Sequence, residues 1–405
     1  MQVVSPEEVG LSSAALARID EHLSSRYIAP GKIAGALTLV ARRGRVAFLS
    51  PLGQMDRERA KPTEADTIFR IYSMTKPVTS VALMMLHERA AFQLTDPVSR
   101  WIPEFEHMRV FKYGNYPAFI TEPALRPITV HDLLTHQSGI SYGIMERTNV
   151  DHAYRKLGIG SGKGTLAEMV KVMATLPLEF SPGEAWSYSA ATDVVGHLVE
   201  LMSGMSLDDY FRERIFEPLG MVDTGFVVPE SKRARFAACY GRNAAKQLYL
   251  QDDPADTHYA LPKTYWSGGA GLVSTAGDYL RFAEMLRRGG ELDGARILGP
   301  RTVQYMASNH LPGGGDLASV ARGSFSETRF EGVGFGLGVS VTIDPVRAQV
   351  PSSVGEFGWG GLASTAFWVD PQEELTVIFM TQLIPSTIYG FRPQLKSIVE
   401  GAIVD

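Results

Sequence analysis

Residues 73–76 read SMTK, an S-x-x-K, and residues 77–90 continue as PVTSVALMMLHERA, with apolar side chains at helical spacing. Ser73 therefore stands where a helix begins. A spacing of three puts Lys76 on the same helix face one turn on, so the hydroxyl and the amine can meet. The unpaired first-turn N–H groups and the helix dipole favour a developing alkoxide at that end. Pro77 is tolerated because the helix has only just started. Half surrounded by VTSVALMML, Lys76 is expected to be partly desolvated. Desolvation depresses a lysine pKa, and a neutral amine can act as a base. Taken alone, the pattern fits a plain helix start with a solvated lysine equally well.

A second serine pattern follows at residues 139–143, GISYG, a G-x-S-x-G. A nucleophile elbow of that form needs a strand leading in and a helix leading out. Here the preceding ITVHDLLTHQS has helical spacing, and Gly139 reads as its stop signal. Ser141 is accordingly read as part of a helix-ending turn and not as the nucleophile.

Outward from these serines, the chain of 405 residues suggests one large or two interlocked domains. Apolar residues at 45% and charged residues at 20% allow a sizeable core. A net charge of −5 with no basic block argues against nucleic acid or an anionic membrane as partner. The single cysteine, Cys239, permits no internal disulfide and sits in an apolar stretch, RFAACYGR, which points to a buried inert thiol. The N-terminal stretch reads as SPEE opening an amphipathic helix, with no secretory pattern, and no apolar run nears 18 residues. A cytoplasmic protein is the expectation.

Residues 35–50, GALTLVARRGRVAFLS, read as a hairpin turning near Gly44. Helices are predicted over 128–136, 164–176, 190–204, 207–216 and 274–290, with 111–127, rich in Pro, Gly and aromatics, as a long loop. Strands return at 335–343, 364–370 and 375–383, and 389–404 closes as a helix. Strands at both ends with helices between predict an α+β plan: one antiparallel sheet built from both chain ends. Residues 1–75 and 265–405 would form the sheet domain and 76–264 a mostly helical insertion with long loops, the active site lying between them.

Two further pieces follow. Residues 181–198, SPGEAWSYSAATDVVGHL, place Tyr188 at the end of a turn-rich loop just before a helix. Residues 355–370, GEFGWGGLASTAFWVD, place Trp359, Gly360 and Gly361 at the expected start of a strand. An S-x-x-K at a helix start, a Y-x-x before a helix about 110 residues later and a late W-G-G together resemble the family VIII carboxylesterases. These share the fold of class C β-lactamases and D-Ala-D-Ala peptidases, the β-lactamase/transpeptidase-like fold. LLTHQSG, PGEAWSYS and EPLGM add to the likeness, which runs from about residue 5 to about residue 400.

The resemblance implies that Ser73 is the acylated nucleophile and that Lys76 and Tyr188 share general base and acid work. It implies an oxyanion hole from the backbone N–H groups of Ser73 and Leu362, with Trp359, Gly360 and Gly361 at the substrate. The chain departs from the β-lactamase pattern twice: Ala190 stands where Y-x-N has asparagine, and Trp359 where K-T-G has lysine. Both losses remove polar handles for an anionic amide, which suits esters of short acyl groups. A small-molecule ester is therefore the expected substrate, with weak β-lactam cleavage as a side activity. The rivals are an acyltransferase using the same serine, a D-peptidase or β-lactamase, and a catalytically silent binding protein.

Other signals are discounted. LGIGSGKG at 157–164 lacks the first glycine and the final Ser/Thr of a phosphate loop. His131, His136 and His197 are expected to pack or to face solvent, since His131 and His136 are wrongly spaced to share one helix face. No cofactor and no metal is implied.

Overall fold

The computed structural model describes residues 2–323 and 326–405. Its centre is an eight-stranded sheet. In chain order the strands are β1 (Gly35–Arg42), β2 (Arg45–Asp56), β3 (Lys61–Pro62), β4 (Val333–Phe335), β5 (Ser340–Thr342), β6 (Phe357–Gly360), β7 (Ala366–Asp370) and β8 (Leu375–Thr381). They lie in the order β4-β5-β6-β7-β8-β1-β2-β3, each neighbouring pair antiparallel. The sheet is thus built from both ends of the chain, as the sequence predicts. β1 is an inner strand, third from one edge, with Leu39 opposite Ile378 on one side and Leu49 on the other.

Both faces of the sheet are covered, so every residue of β1 is buried. Successive strand side chains point to opposite faces. Leu37, Leu39 and Ala41 join the inner core, together with Phe367, Ile378 and Met380. Ala36 and Val40 join the outer one, together with Val377 and Phe379. The outer face is closed by α1 (Ser13–Leu23) and by the last helix, α5 (Phe391–Glu400), through Leu16, Ile19, Leu395 and Val399. The inner face carries α2 (Thr75–His87) and α4 (Ala276–Arg287), and α3 (Ala191–Ser203) packs on α2. The β1–β2 turn is Arg43-Gly44 with φ of 53° and 75°, the doubly left-handed turn that matches strand twist.

Away from the site, local readings differ in three places. The SPEE stretch does not open α1: Pro6–Val9 is a separate short turn, and α1 begins at Ser13, capped by the Ser12 side chain accepting from the Ala15 N–H. Most of 111–127 is a hairpin, Arg109–Asn115 against Ala118–Pro123, not a loop. Its Gly and Pro mark the turn, while Phe111 and Phe119 stack edge to face at 5.5 Å across it. The 335–343 run is two strands, because the chain turns back between Phe335 and Ser340. No helix among the described residues is long and apolar enough to cross a membrane.

Candidate active site

Ser73 lies in a short turn, Tyr72–Met74, that runs directly into α2. The residues before it are pinned on two sides. Phe69–Arg70 pair with Val273–Ser274, and Gln382 bonds both the N–H and the C=O of Arg70, at 3.1 and 3.0 Å. Tyr72 is held at φ 42°, a conformation bulky residues seldom adopt and one that tends to persist where surroundings over-determine it. Ser73 itself is buried.

One helical turn on, Lys76 is buried too. Its ammonium Nζ donates to the Gly269 carbonyl at 2.8 Å and lies 3.4 Å from Ser73 Oγ. It sits over the Tyr188 ring, 4.6 Å from the centroid, and 5.4 Å from that of Tyr142. Burial lowers the Lys76 pKa to about 8, against an upward pull from Asp193 and Glu327. Tyr188 reaches the same spot from the loop before α3. That loop is fixed by Ser187 N–H to the His136 carbonyl and Ala190 N–H to the Ser141 carbonyl, at 3.0 and 3.1 Å. Burial raises the Tyr188 pKa well above the ordinary tyrosine value, reinforced by Tyr142 and Glu327, while hydrogen bonds from Ser73 and Trp359 work the other way.

Trp359 closes the group, its ring 5.5 Å from that of Tyr188. The W-G-G does not open a strand. Trp359 and Gly360 end β6, paired with Phe367 and Ala366, and Gly361 N–H closes a turn on the Thr365 carbonyl at 2.9 Å. Leu362 lies in that turn. A side-chain carbon on Gly361 would stand 2.3 Å from both the Ile71 carbonyl oxygen and Thr365 Oγ1, so only glycine allows this turn to touch the backbone two residues before Ser73. Ser73, Lys76, Tyr188 and Trp359, predicted from three distant stretches, thus meet in one place.

The sequence profile described as Beta-lactamase matches residues 21–388. The chain belongs to the β-lactamase family. Among relatives, Esterase EstB of Burkholderia gladioli is 32% identical over 397 residues, covering 93% of each chain. Protein Rv1367c of Mycobacterium tuberculosis is 36% identical over 359 residues, 88% of this chain and 87% of its own. Among solved structures, EstCE1, "a hydrolase with promiscuous acyltransferase activity", superposes with a TM-score of 0.79 at 29% identity, over 97% of this chain and 99% of its own. The chain is a serine hydrolase of this family, similar to the esterase EstB and the hydrolase EstCE1.

Around this group the sequence reading assigned no role to several residues. Asp193, on the first turn of α3, accepts from Ser267 Oγ at 2.7 Å and from the Gly269 N–H at 3.1 Å, and so holds the turn whose carbonyl binds Lys76. A main-chain acceptor such as Gly269 leaves no signature in sequence. Tyr142 was visible only as a neighbour of Ser141. His136 is buried, its Nδ1 2.9 Å from Ser189 Oγ, and burial with nearby Lys76 holds its pKa well below the ordinary histidine value. It is therefore neutral and adds no charge to the site.

The remaining candidates lie elsewhere. The Ser141 hydroxyl is held between the Asp151 and Glu179 carboxylates, the latter at 2.6 Å. The helix before it ends at Leu134, so GISYG belongs to the loop that follows. His131 faces His310 at 3.3 Å and His197 faces Glu200 at 3.2 Å. Cys239 is buried, and its thiol pKa is pushed up to about 12. Among the described residues, Glu356, Asp370 and Glu400 bring carboxylate oxygens within 4.8 Å of one another, with the Lys396 ammonium already against Glu356.

Proposed function

We propose that this serine hydrolase cleaves short-chain acyl esters through an acyl-enzyme on Ser73, in the cleft between the sheet half (1–75 and 265–405) and the inserted half (76–264). The observation that carries the reading is the buried Lys76 amine, 3.4 Å from Ser73 Oγ and stacked on Tyr188. With a pKa of about 8, roughly a tenth of Lys76 is neutral at pH 7, against about 0.03% for a solvated lysine. The neutral amine and the phenol then share one exchangeable proton, and that proton belongs to the pair.

In the first step Ser73 Oγ attacks the ester carbon as its proton passes to the Lys76–Tyr188 pair. The tetrahedral oxyanion is received by the backbone N–H groups of Ser73 and Leu362. Collapse breaks the bond to the alcohol, which leaves with the proton that the pair returns. Water, losing its proton to the pair, then attacks the acyl carbon; the bond to Ser73 Oγ breaks, the pair returns that proton to Oγ, and the acid is freed. Trp359, Tyr142 and neutral His136 make the walls aromatic and uncharged. With Ala190 and Trp359 replacing the polar handles of the β-lactamase pattern, a neutral ester fits better than an anionic amide.

The test is hydrolysis of p-nitrophenyl acetate and butyrate by the native chain and by Ser73→Ala. Turnover lost in the variant supports the reading; no turnover by the native chain leaves a binding protein in its place. A second reading, transfer of the acyl group to an alcohol, is favoured by the likeness to EstCE1. Product analysis with added alcohols separates transfer from hydrolysis. Rapid penicillin cleavage without ester turnover would favour a β-lactamase instead.

A further inference from the structure

The outer face of the sheet is not filled evenly. Across β1 and β8 it carries Val40, Val377 and Phe379, the last packed on Phe391 at the start of α5. Toward the sheet edge the adjoining strands β5, β6 and β7 present Ser340, Thr342, Gly358 and Ala366 instead. These small side chains leave a cavity of about 350 Å³ between the sheet, α5 and the segments 326–329 and 348–352. That volume lies in the range of small-molecule sites, about 300–1,000 Å³.

The lining has a definite chemistry. Trp368, Phe391 and Tyr389 supply an aromatic wall. Two cations reach it from α5, and each is already neutralised by a buried carboxylate. Arg392 Nη2 lies 2.5 Å from Glu327 Oε2, and the Lys396 ammonium bonds Glu356 Oε1. Each of those carboxylates keeps a second buried oxygen, Glu327 Oε1 and Glu356 Oε2, with no protein donor among the described residues. Glu327 and Glu356 are each only 2% exposed. Buried polar groups are nearly always paired, and the aromatic wall leaves two donors over as well, the Trp368 Nε1–H and the Tyr389 hydroxyl, so the lining calls for a partner that donates and accepts, as a hydroxyl or an amide does. An anion would have to compete with Glu327 for Arg392, and a cation with Lys396 for Glu356.

We propose that this cavity binds a small neutral molecule with an apolar body and hydroxyl or amide N–H donors, at a site separate from Ser73. The aromatic wall takes the apolar body, and the free carboxylate oxygens take the donors. The site does not depend on the esterase reading. It borders the catalytic group all the same: Trp359 belongs to both, and the Glu327 charge is felt at Lys76 and Tyr188.

The experiment uses 4-phenylbutan-1-ol and its methyl ether, which share a body and differ in one donor. Binding to the full chain is followed by calorimetry and by saturation-transfer NMR. Saturable 1:1 binding of the alcohol, about tenfold or more tighter than the ether, is expected. Ala366→Leu and Ser340→Leu, on two different strands, each fill the cavity and should weaken the alcohol about tenfold or more. Circular dichroism identifies a variant that fails to fold, and the other then decides. No saturable binding, equal binding of alcohol and ether, or binding that survives in the folded filled variant overturns the proposal. Ester turnover, measured alongside, reports on Ser73 separately.

Discussion

Replacing Lys76 with methionine should stabilise the protein near neutral pH while removing its activity. Burial lowers the Lys76 pKa from 10.5 to about 8, so the folded protein holds a charged amine less willingly than the unfolded chain does. The penalty is fully present below about pH 8 and fades as pH rises toward 10.5, where both states lose the proton. At pH 7 the depression of roughly 2.5 units corresponds to about 3 kcal/mol. Methionine has similar length and no charge, so it escapes this cost. It also forfeits the bonds to the Gly269 carbonyl and to Ser73 and leaves that buried carbonyl unpaired, which costs about 2 kcal/mol. Lys76→Met should therefore gain about 1 kcal/mol at pH 7 and lose about 1 kcal/mol at pH 10. Urea unfolding at the two pH values measures this, and ester turnover should fall by about 10²–10⁴. A variant less stable than the native chain at pH 7, or a difference that ignores pH, would refute the reasoning.

Three further outcomes are expected. Gly361→Ala drives a methyl against the Ile71 carbonyl and Thr365, displacing the turn that holds Leu362, so kcat should fall about 10²–10³ with circular dichroism unchanged; a retained rate argues against an oxyanion donor there. Asp193 pulls the Lys76 pKa upward, so Asp193→Asn should shift the rising limb of the kcat/KM profile to lower pH, and an unmoved limb would separate that limb from Lys76. Cys239, buried with its thiol pushed up to about 12, should ignore a disulfide reagent at pH 8 in the native protein and react once urea is added.

What the sequence disclosed follows the range of the interactions involved. The Ser73–Lys76 pairing is a helix-turn relation, so spacing offers it beside a plain helix start, and the other motifs decide between the two. The β1–β2 hairpin is equally local, written in Arg43-Gly44 between two apolar runs. The meeting of Tyr188 and Trp359 with that pair depends on strands and loops far apart in the chain, and only the ordered set of motifs pointed to it. Where punctuation outweighed pattern, the reading failed: Gly114 and Pro117 made 111–127 look like a loop although its aromatic residues alternate as in a hairpin. The β-rich residues after the W-G-G make it read as a strand start; Trp359 and Gly360 instead end a strand only four residues long, Phe357–Gly360. The Gly269 carbonyl and the Asp193 carboxylate behind it could not be read, because one is main chain and the other acts through a turn brought over by folding.

The most direct measurement is the site of the covalent adduct. The protein is incubated with a fluorophosphonate, and separately with p-nitrophenyl butyrate under acid quench, then digested and mapped by mass spectrometry. Both the phosphonyl and the butyryl groups should lie on Ser73, and Ser141→Ala should label as the native chain does. An adduct on Ser141, or none on Ser73 in an actively turning-over enzyme, would contradict the account.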